Sequence, residues 1–193
     1  MRDQRVRIIV EIALVIALAA ILNALKIWRM PQGGTVSFVM LPIIVLALRR
    51  GLLVGIVTGA LYGVVDFLAD PFVVHWVQPL LDYPVAYAAV GLAGIVSPLW
   101  HRSMSTGRLA AAATYLLAAA SIAGVARYVV HTVSGVVFFA EYAPEGQPVL
   151  LYSMLYNLYV PVSAALACAA ALVVLPALER AMPTGRPRGE SVA

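Results

Sequence analysis

Two segments of an otherwise apolar chain carry side chains that could bind a charged molecule. Residues 80–84 read LLDYP and include Asp82, and residues 126–135 read ARYVVHTVSG and include Arg127 and His131. Arg127 and His131 are four residues apart, so a helix places them on one face. Ionisable groups are costly at membrane depth, and there they usually line a cavity and mark a site. The pattern predicts a cavity for a small polar molecule that is cationic and aromatic.

The composition is that of an integral membrane protein. The chain has 193 residues, of which 63% are hydrophobic and 11% charged, with a net charge of +4. A soluble domain of this length would have about a quarter of its residues charged. The arginines cluster at the ends of apolar segments, so the positive charge indicates membrane topology and not nucleic-acid binding. The single cysteine, Cys168, offers neither a disulfide nor a metal pair and is interpreted as a packing residue.

Six apolar segments are candidates for membrane-spanning helices, which need about 20 apolar residues each. They form one predicted domain over residues 1–182, and residues 183–193 are predicted to be a disordered cytoplasmic tail. Gly51 can end the second helix in a tight reversal, and Pro161 is expected to kink the sixth. The predicted fold class is an all-α integral membrane bundle of six transmembrane helices. The segments are about 6–26, 36–49, 52–69, 79–100, 109–139 and 149–178.

Arginine placement predicts the orientation of this bundle. Most arginines fall at one end of a six-span arrangement, while Lys26 and Arg29 fall at the other. Because positive residues are enriched on the cytoplasmic side, both termini and the Arg49–Arg50 turn are predicted to be cytoplasmic. The loops at about 27–35, 70–78 and 140–148 then face outward, where they can cap a cavity. Gly33 and Phe72 in the first two of these loops are candidates to line it.

The charged candidates also have structural interpretations. Asp82 and Arg127 could form an ion pair that ties two helices together, or Arg127 could position Asp82 for a ligand. His131 could be hydrogen-bonded across helices. Gly135 leaves backbone room one turn after His131, and Phe139 offers a ring on the same stripe.

Aromatic and amide residues near the span ends are interpreted either as part of the site or as anchors at the membrane interface. Tyr152 and Asn157 favour a role in the site, since an asparagine within a span needs a partner. Tyr159 favours an aromatic belt at the membrane interface, which is common. Interfacial anchoring is also the interpretation of the three tryptophans, Trp28, Trp76 and Trp100.

Motifs of membrane enzymes and of ATPases are mostly missing. Ser134-Gly135 follows Thr132-Val133, so the intramembrane protease pattern Gly-x-Ser-Gly is not met, and Asp66 lacks the Gly-x-Gly of intramembrane aspartyl proteases. There is no Walker sequence, so any ATP-driven work must come from a partner. A membrane enzyme that uses His131 and Asp82 as acid and base stays an alternative, as does a purely structural bundle.

A stripe of small residues marks the first predicted helix. Ala13 and Ala17 are four residues apart, a spacing that lets another helix approach closely. The stripe could serve packing inside the bundle or docking of another subunit.

Several sequence blocks resemble the thiamine-specific substrate-binding component (S component) of energy-coupling factor transporters. The resemblance runs in order through nearly the whole chain, and the combination of LALRRG, LLDYP and H-x-x-x-G is more specific than any single block. The blocks are residues 31–37, 41–51, 77–84, 128–135 and 152–157.

The resemblance implies a bacterial plasma-membrane protein that captures thiamine on the outer side without a cofactor or metal. It implies partners as well, namely a coupling transmembrane subunit that docks near Ala13 and Ala17, and two ATP-binding-cassette ATPases. The ligand-binding positions it implies are Asp82, Tyr83, Arg127, His131, Gly135, Phe139, Tyr152 and Asn157.

One departure from the family concerns ring stacking. Some members place a tryptophan in the first outer loop, where this chain has Gln32-Gly33-Gly34. Trp28 or Trp76 could substitute for it. An S component for another vitamin or for a thiamine precursor is the alternative within the same class.

Overall fold

The computed structural model describes residues 2–181, which form a bundle of helices with a small hairpin at one end. Strands β1 (Trp28–Arg29) and β2 (Thr35–Val36) pair antiparallel in this hairpin, and a short 3-10 helix covers Ala140–Tyr142. The predicted tail, residues 183–193, lies outside the described residues. The main helices are α1 (Arg2–Ala24), α2 (Met40–Arg50), α3 (Leu52–Ala69), α4 (Gln78–Ser105), α5 (Leu109–Phe138), α6 (Val149–Tyr156) and α7 (Tyr159–Ala181).

Five segments of the described chain are long and apolar enough to cross a membrane. They are α1, α3, α4, α5 and the pair α6–α7, and many of their leucines and valines point outward. Helix α2 has 11 residues, which at about 1.5 Å per residue is too short to span the bilayer alone. The chain is therefore a helical, multi-pass membrane protein, while the sixth span and the cytoplasmic location of the termini stay predictions.

The two ends of the bundle differ in charge and in structure. At one end, called here the arginine end, Arg50 Nε lies 2.5 Å from a carboxylate oxygen of Glu11, and His101 Nε2 lies 3.1 Å from the carbonyl oxygen of Arg49. Gly51 joins α2 to α3 here with a φ of 88°, which explains the predicted tight reversal. The opposite end, called the loop end, holds the hairpin and the segments that precede α4 and α6.

Helix α4 is irregular in a way that shapes the bundle. Pro84 has no N–H to donate, and Leu81–Val85 form a π-helical turn that Ala86 closes by donating to the Leu81 carbonyl. Further on, Gly91–Val96 form a 3-10 segment that packs on α3. A side chain on Gly91 would overlap the backbone of Gly55, so this close approach requires glycine.

The last span is broken where Pro161 was expected to kink it. Helix α6 ends at Tyr156 and α7 begins at Tyr159, so the break lies about one turn before the proline. Pro161 cannot donate to the Asn157 carbonyl, and Val160 N–H donates to it instead, at 3.0 Å. The break leaves Asn157 at the end of α6 beside α5.

The core lies between α2, α4, α5 and α7 and is rich in alanine. Trp100, interpreted from sequence as an interfacial anchor, is instead 1% exposed in this core, so that interpretation is wrong. Cys168 is buried there as a packing residue. On α1, Ala19 is buried in the same core, whereas Ala13 and Ala17 are exposed.

Candidate ligand-binding site

A cavity opens at the loop end between α4, α5, α6 and the hairpin. Charged groups, amides and aromatic rings from six elements line it, as expected for a site built on several helices. All ten residues predicted from sequence lie in its wall: Gly33, Phe72, Asp82, Tyr83, Arg127, His131, Gly135, Phe139, Tyr152 and Asn157.

The centre of the wall is a chain of hydrogen bonds from Arg127 through His131 to Asp82. Arg127 Nε donates to His131 Nε2 at 3.2 Å, and His131 Nδ1 lies 3.1 Å from Asp82 Oδ1. A guanidinium can only donate, so His131 Nε2 is an acceptor and Nδ1 carries the proton. His131 is therefore the neutral Nδ1–H tautomer and donates to Asp82.

Of the two interpretations of Asp82 and Arg127, the direct ion pair is not what the structure shows. The two side chains do not bond to each other, because the imidazole of His131 stands between them. Instead, the Arg127 guanidinium lies 4.2 Å from the centre of the Tyr87 ring, which stabilises the buried charge. Nη1 of Arg127 is buried without a hydrogen-bond partner in the described chain.

Asp82 lies on the π-helical turn of α4, which directs it toward α5. Besides His131, it accepts a hydrogen bond from Gln78 Nε2 at 2.6 Å. Gln78 is one helical turn earlier, so the same helix supplies the second donor. Both observed partners are neutral, and Asp82 has no cationic partner among the described residues.

Asn157 is fixed by two carbonyl groups. Its Nδ2 donates to the carbonyl oxygens of Ser153 at 2.8 Å and His131 at 3.2 Å, which ties α6 to α5. Gly135 permits this contact, since a Cβ there would lie 2.8 Å from Ser153 Oγ. No donor of the described chain reaches Asn157 Oδ1, which leaves that oxygen free to accept a hydrogen bond.

Aromatic rings cover the apolar part of the cavity. Phe72 and Phe139 stack with their centroids 6.2 Å apart and an angle of 13° between the planes. Tyr159 lies 5.9 Å from the His131 ring, is 7% exposed and lines the cavity, so the predicted position in an aromatic belt is wrong. Trp28 and Trp76 are 65% and 84% exposed and do not line the cavity, so neither replaces the missing tryptophan.

Two tyrosines hold two loops of the loop end over the cavity. Tyr156 Oη accepts a hydrogen bond from the Gln32 N–H at 2.9 Å, which anchors the hairpin turn. Tyr83 Oη accepts from the Phe72 N–H at 2.8 Å and donates to the Asp70 carbonyl at 3.1 Å. Two of the three loops predicted to cap the cavity are thus bonded to helices in its wall.

Asp70 joins the two loops to each other. Its carboxylate pairs with Lys26, just after α1, and with Arg29 Nη2 in β1 at 3.0 Å. The hydrogen bond from Lys26 lowers the pKa of Asp70 below its ordinary value, and Arg29 adds to the effect. We call Lys26, Arg29 and Asp70 the loop clamp.

Asp66 adds a second carboxylate to the membrane part of the cavity wall. It accepts hydrogen bonds from Asn23 Nδ2 at 2.7 Å and Tyr62 Oη at 3.2 Å. Counting Asp70, the lining has three carboxylates against the two cations Lys26 and Arg127, so its formal charge is −1 when His131 is neutral. The cavity therefore favours a cation.

Sequence reasoning missed several lining residues that only the tertiary structure brings together. Gln78 had a weak signal, its four-residue spacing from Asp82, and Asp66 had its depth near the end of a span. Asn23, an asparagine within a predicted span, and Tyr156, one helical turn after Tyr152, also had local signals. Tyr87 had none, because its role depends on Arg127 of a distant segment.

Comparison with known proteins agrees with this architecture. A family model described as thiamine transporter protein (Thia_YuaJ) matches residues 9–183. The chain is 38% identical to the thiamine transporter ThiT of Bacillus subtilis (strain 168) over 175 residues, which are 89% of this chain and 91% of that protein. It is 30% identical to the thiamine transporter ThiT of Lacticaseibacillus paracasei over 154 residues, which are 78% and 77% of the two chains.

A solved structure gives the same result for the fold. ThiT from Listeria monocytogenes superposes with a TM-score of 0.80 at 26% identity, and the match covers 93% of this chain and 97% of that one. The residues matched by the family model, 9–183, include every residue of the cavity wall. The chain belongs to the thiamine transporter protein family, Thia_YuaJ.

Proposed function

We propose that this chain is the thiamine-binding S component of an energy-coupling factor importer. Its family and its relatives, which are named thiamine transporters, support this proposal and do not support a membrane enzyme. The chain captures thiamine from outside the cell through the cavity at the loop end. The arginine end then faces the cytoplasm, in agreement with the positive-inside rule.

The observation that carries the proposal is a carboxylate without a cationic partner in an aromatic, net-negative cavity. Asp82 accepts hydrogen bonds only from Gln78 and the neutral His131 in the described chain. Thiamine brings a fixed positive charge on its thiazolium ring and an amino group on its pyrimidine. A partly buried carboxylate suits both groups, and a charge-assisted hydrogen bond is about twice as strong as a neutral one.

The aminopyrimidine end of thiamine fits the donors and acceptors around α6. Asn157 Oδ1 can accept from the pyrimidine amino group, since Nδ2 is already committed to two carbonyls. The Tyr152 hydroxyl can bond a ring nitrogen. Phe139 and Phe72 offer ring faces for stacking, which attract a cationic heterocycle. These aromatic groups take the place of the missing tryptophan in the first loop.

Transport requires partners that this chain does not contain. We propose that a coupling transmembrane subunit packs on α1 at Ala13 and Ala17, which are exposed and small. Two ATP-binding-cassette ATPases on that subunit supply the energy. In the bacterial plasma membrane, α2 together with residues 36–39 forms the sixth membrane segment, and both termini are cytoplasmic.

Titration calorimetry of the purified chain tests the proposal. Thiamine, its pyrimidine moiety, riboflavin and biotin are titrated separately into the detergent-solubilised protein. We expect tight binding of thiamine, weaker binding of the pyrimidine and none of the other two vitamins. The proposal would be contradicted if the dissociation constant for thiamine were not below the micromolar range, or if the chain turned over any of these ligands.

A further inference from the structure

A second cavity lies at the arginine end, between the last turn of α4 and the first turns of α5. Arg102, Ser103, Thr106, Arg108 and Tyr115 contribute to its wall. It is separate from the ligand cavity, with which it shares no residue.

The chemistry of this wall is that of an anion site. Neither guanidinium, of Arg102 or Arg108, pairs with a carboxylate in the described chain. Ser103 and Tyr115 likewise donate no hydrogen bond there, so both hydroxyls are available. Two guanidiniums and two hydroxyls together match the several oxygens of a phosphate group.

The position of the cavity favours a lipid as the source of that phosphate. Leu99 lies in its wall and Leu109 directly follows Arg108, and the two leucines are 46% and 68% exposed. Both belong to membrane-spanning segments, so their outward side chains can contact acyl chains. Basic pockets between helices on the cytoplasmic side are typical binding places for anionic headgroups.

We infer that the cavity between α4 and α5 binds the phosphodiester headgroup of an anionic lipid. Arg102 and Arg108 bind the phosphate oxygens, and Ser103 and Tyr115 donate hydrogen bonds to them. The acyl chains lie along Leu99 and Leu109. Arginines that only set the membrane topology require neither a cavity nor nearby hydroxyl groups, whereas Arg102 and Arg108 have both. A lipid bound here would hold α4 against α5 at their arginine end.

Competition between two lipids tests this inference. The full-length protein in detergent is mixed with equal amounts of phosphatidylglycerol and phosphatidylcholine, and native mass spectrometry counts the lipids retained. Wild type is expected to retain one phosphatidylglycerol molecule in preference to phosphatidylcholine. The double variant Arg102→Gln/Arg108→Gln is expected to lose at least about tenfold in this retention.

The matched control removes the same charge from the same end of the molecule. Arg5→Gln/Arg7→Gln should keep the bound lipid, and equal losses in the two double variants would overturn the inference in favour of general surface attraction. Equal retention in wild type and the Arg102/Arg108 variant would overturn it as well. Displacement of the lipid by inorganic phosphate at a similar concentration would show a site for soluble phosphate instead.

Folding is checked separately. Thiamine binding by the double variant reports on the distant ligand cavity, and should be unchanged. If the double variant does not fold, the single variant Arg108→Gln, which changes an exposed side chain, makes the same test with a smaller expected loss.

Discussion

Asp82 Oδ1 and His131 Nδ1 lie 3.1 Å apart, and this contact joins α4 to α5 inside the cavity. It is a hydrogen bond from a neutral imidazole, since Arg127 donates to the other ring nitrogen. In the described chain neither hydrogen-bond partner of Asp82 is a cation, so this carboxylate is available to a cationic ligand.

The first prediction removes this charge. Asp82→Asn should weaken thiamine binding roughly ten- to hundredfold, because a hydrogen bond to a charged group contributes about 1.5–3 kcal/mol. Calorimetry gives the affinity, and a thermal-shift measurement verifies that the variant is folded. Asp3→Asn, which changes an exposed carboxylate near the N-terminus, is the control and should leave the affinity unchanged. An unchanged affinity in folded Asp82→Asn would remove Asp82 from the site.

The second prediction concerns Arg127 as a positioning residue. Arg127→Lys keeps the positive charge but loses the Nε donor to His131 and the flat contact with Tyr87. We expect thiamine affinity to fall about tenfold, since residues in one hydrogen-bond network couple by roughly 0.5–3 kcal/mol. A double-mutant cycle with Asp82→Asn distinguishes this role from a general loss of packing. If the two substitutions are additive in binding free energy, Arg127 does not act through His131 and Asp82.

The third prediction concerns the loop clamp. Asp70→Asn removes the two ion pairs that join the hairpin to the segment before α4. Exposed ion pairs contribute about 0.2–1 kcal/mol each, so the loss of both should make thiamine dissociate roughly two- to thirtyfold faster. Stopped-flow measurement of dissociation tests this. Glu141→Gln, an exposed carboxylate in the third loop, is the matched control and should not change the rate.

The clamp also predicts a pH dependence. Lys26 lowers the pKa of Asp70 when the loops are closed, so protonation favours the open loops. The stabilisation is complete above the ordinary aspartate pKa of about 4 and is lost as the pH falls through the lowered value. As the pH falls through that range, thiamine should dissociate faster from wild type. Its dissociation from Asp70→Asn should change less. The same acid response in both proteins would show that another group controls the loops.

The helices and ten residues of the cavity wall were predictable from the sequence because most of their signals are local. The predicted span 52–69 coincides with α3, and Asp82, His131 and Asn157 stand out as polar residues in apolar segments. Tyr159 was misassigned because the break at residues 157–158 changes which face it presents.

Contacts between distant segments explain the other differences. Trp100 resembles an interfacial anchor in the sequence, and only the packing of α2 and α5 around it shows a core residue. The insertion of His131 between Asp82 and Arg127 depends likewise on how α4 and α5 meet. The sequence left a direct ion pair and a positioning role of Arg127 open, and in the structure the two side chains are linked through His131.

The fourth prediction concerns α1 and the proposed coupling partner. Ala13→Trp and Ala17→Trp should abolish thiamine uptake but preserve binding by the isolated chain. Both alanines point away from the bundle and from the cavity wall, so a bulky ring there blocks only the close approach of another helix. Ala19→Trp is the informative contrast, since Ala19 is 0% exposed in the core. Overpacking at that position should lower thermal stability and impair binding itself.

Uptake is measured in vesicles with the complete transporter, alongside affinity in detergent. Normal uptake by both Ala13→Trp and Ala17→Trp would show that α1 does not dock the coupling subunit.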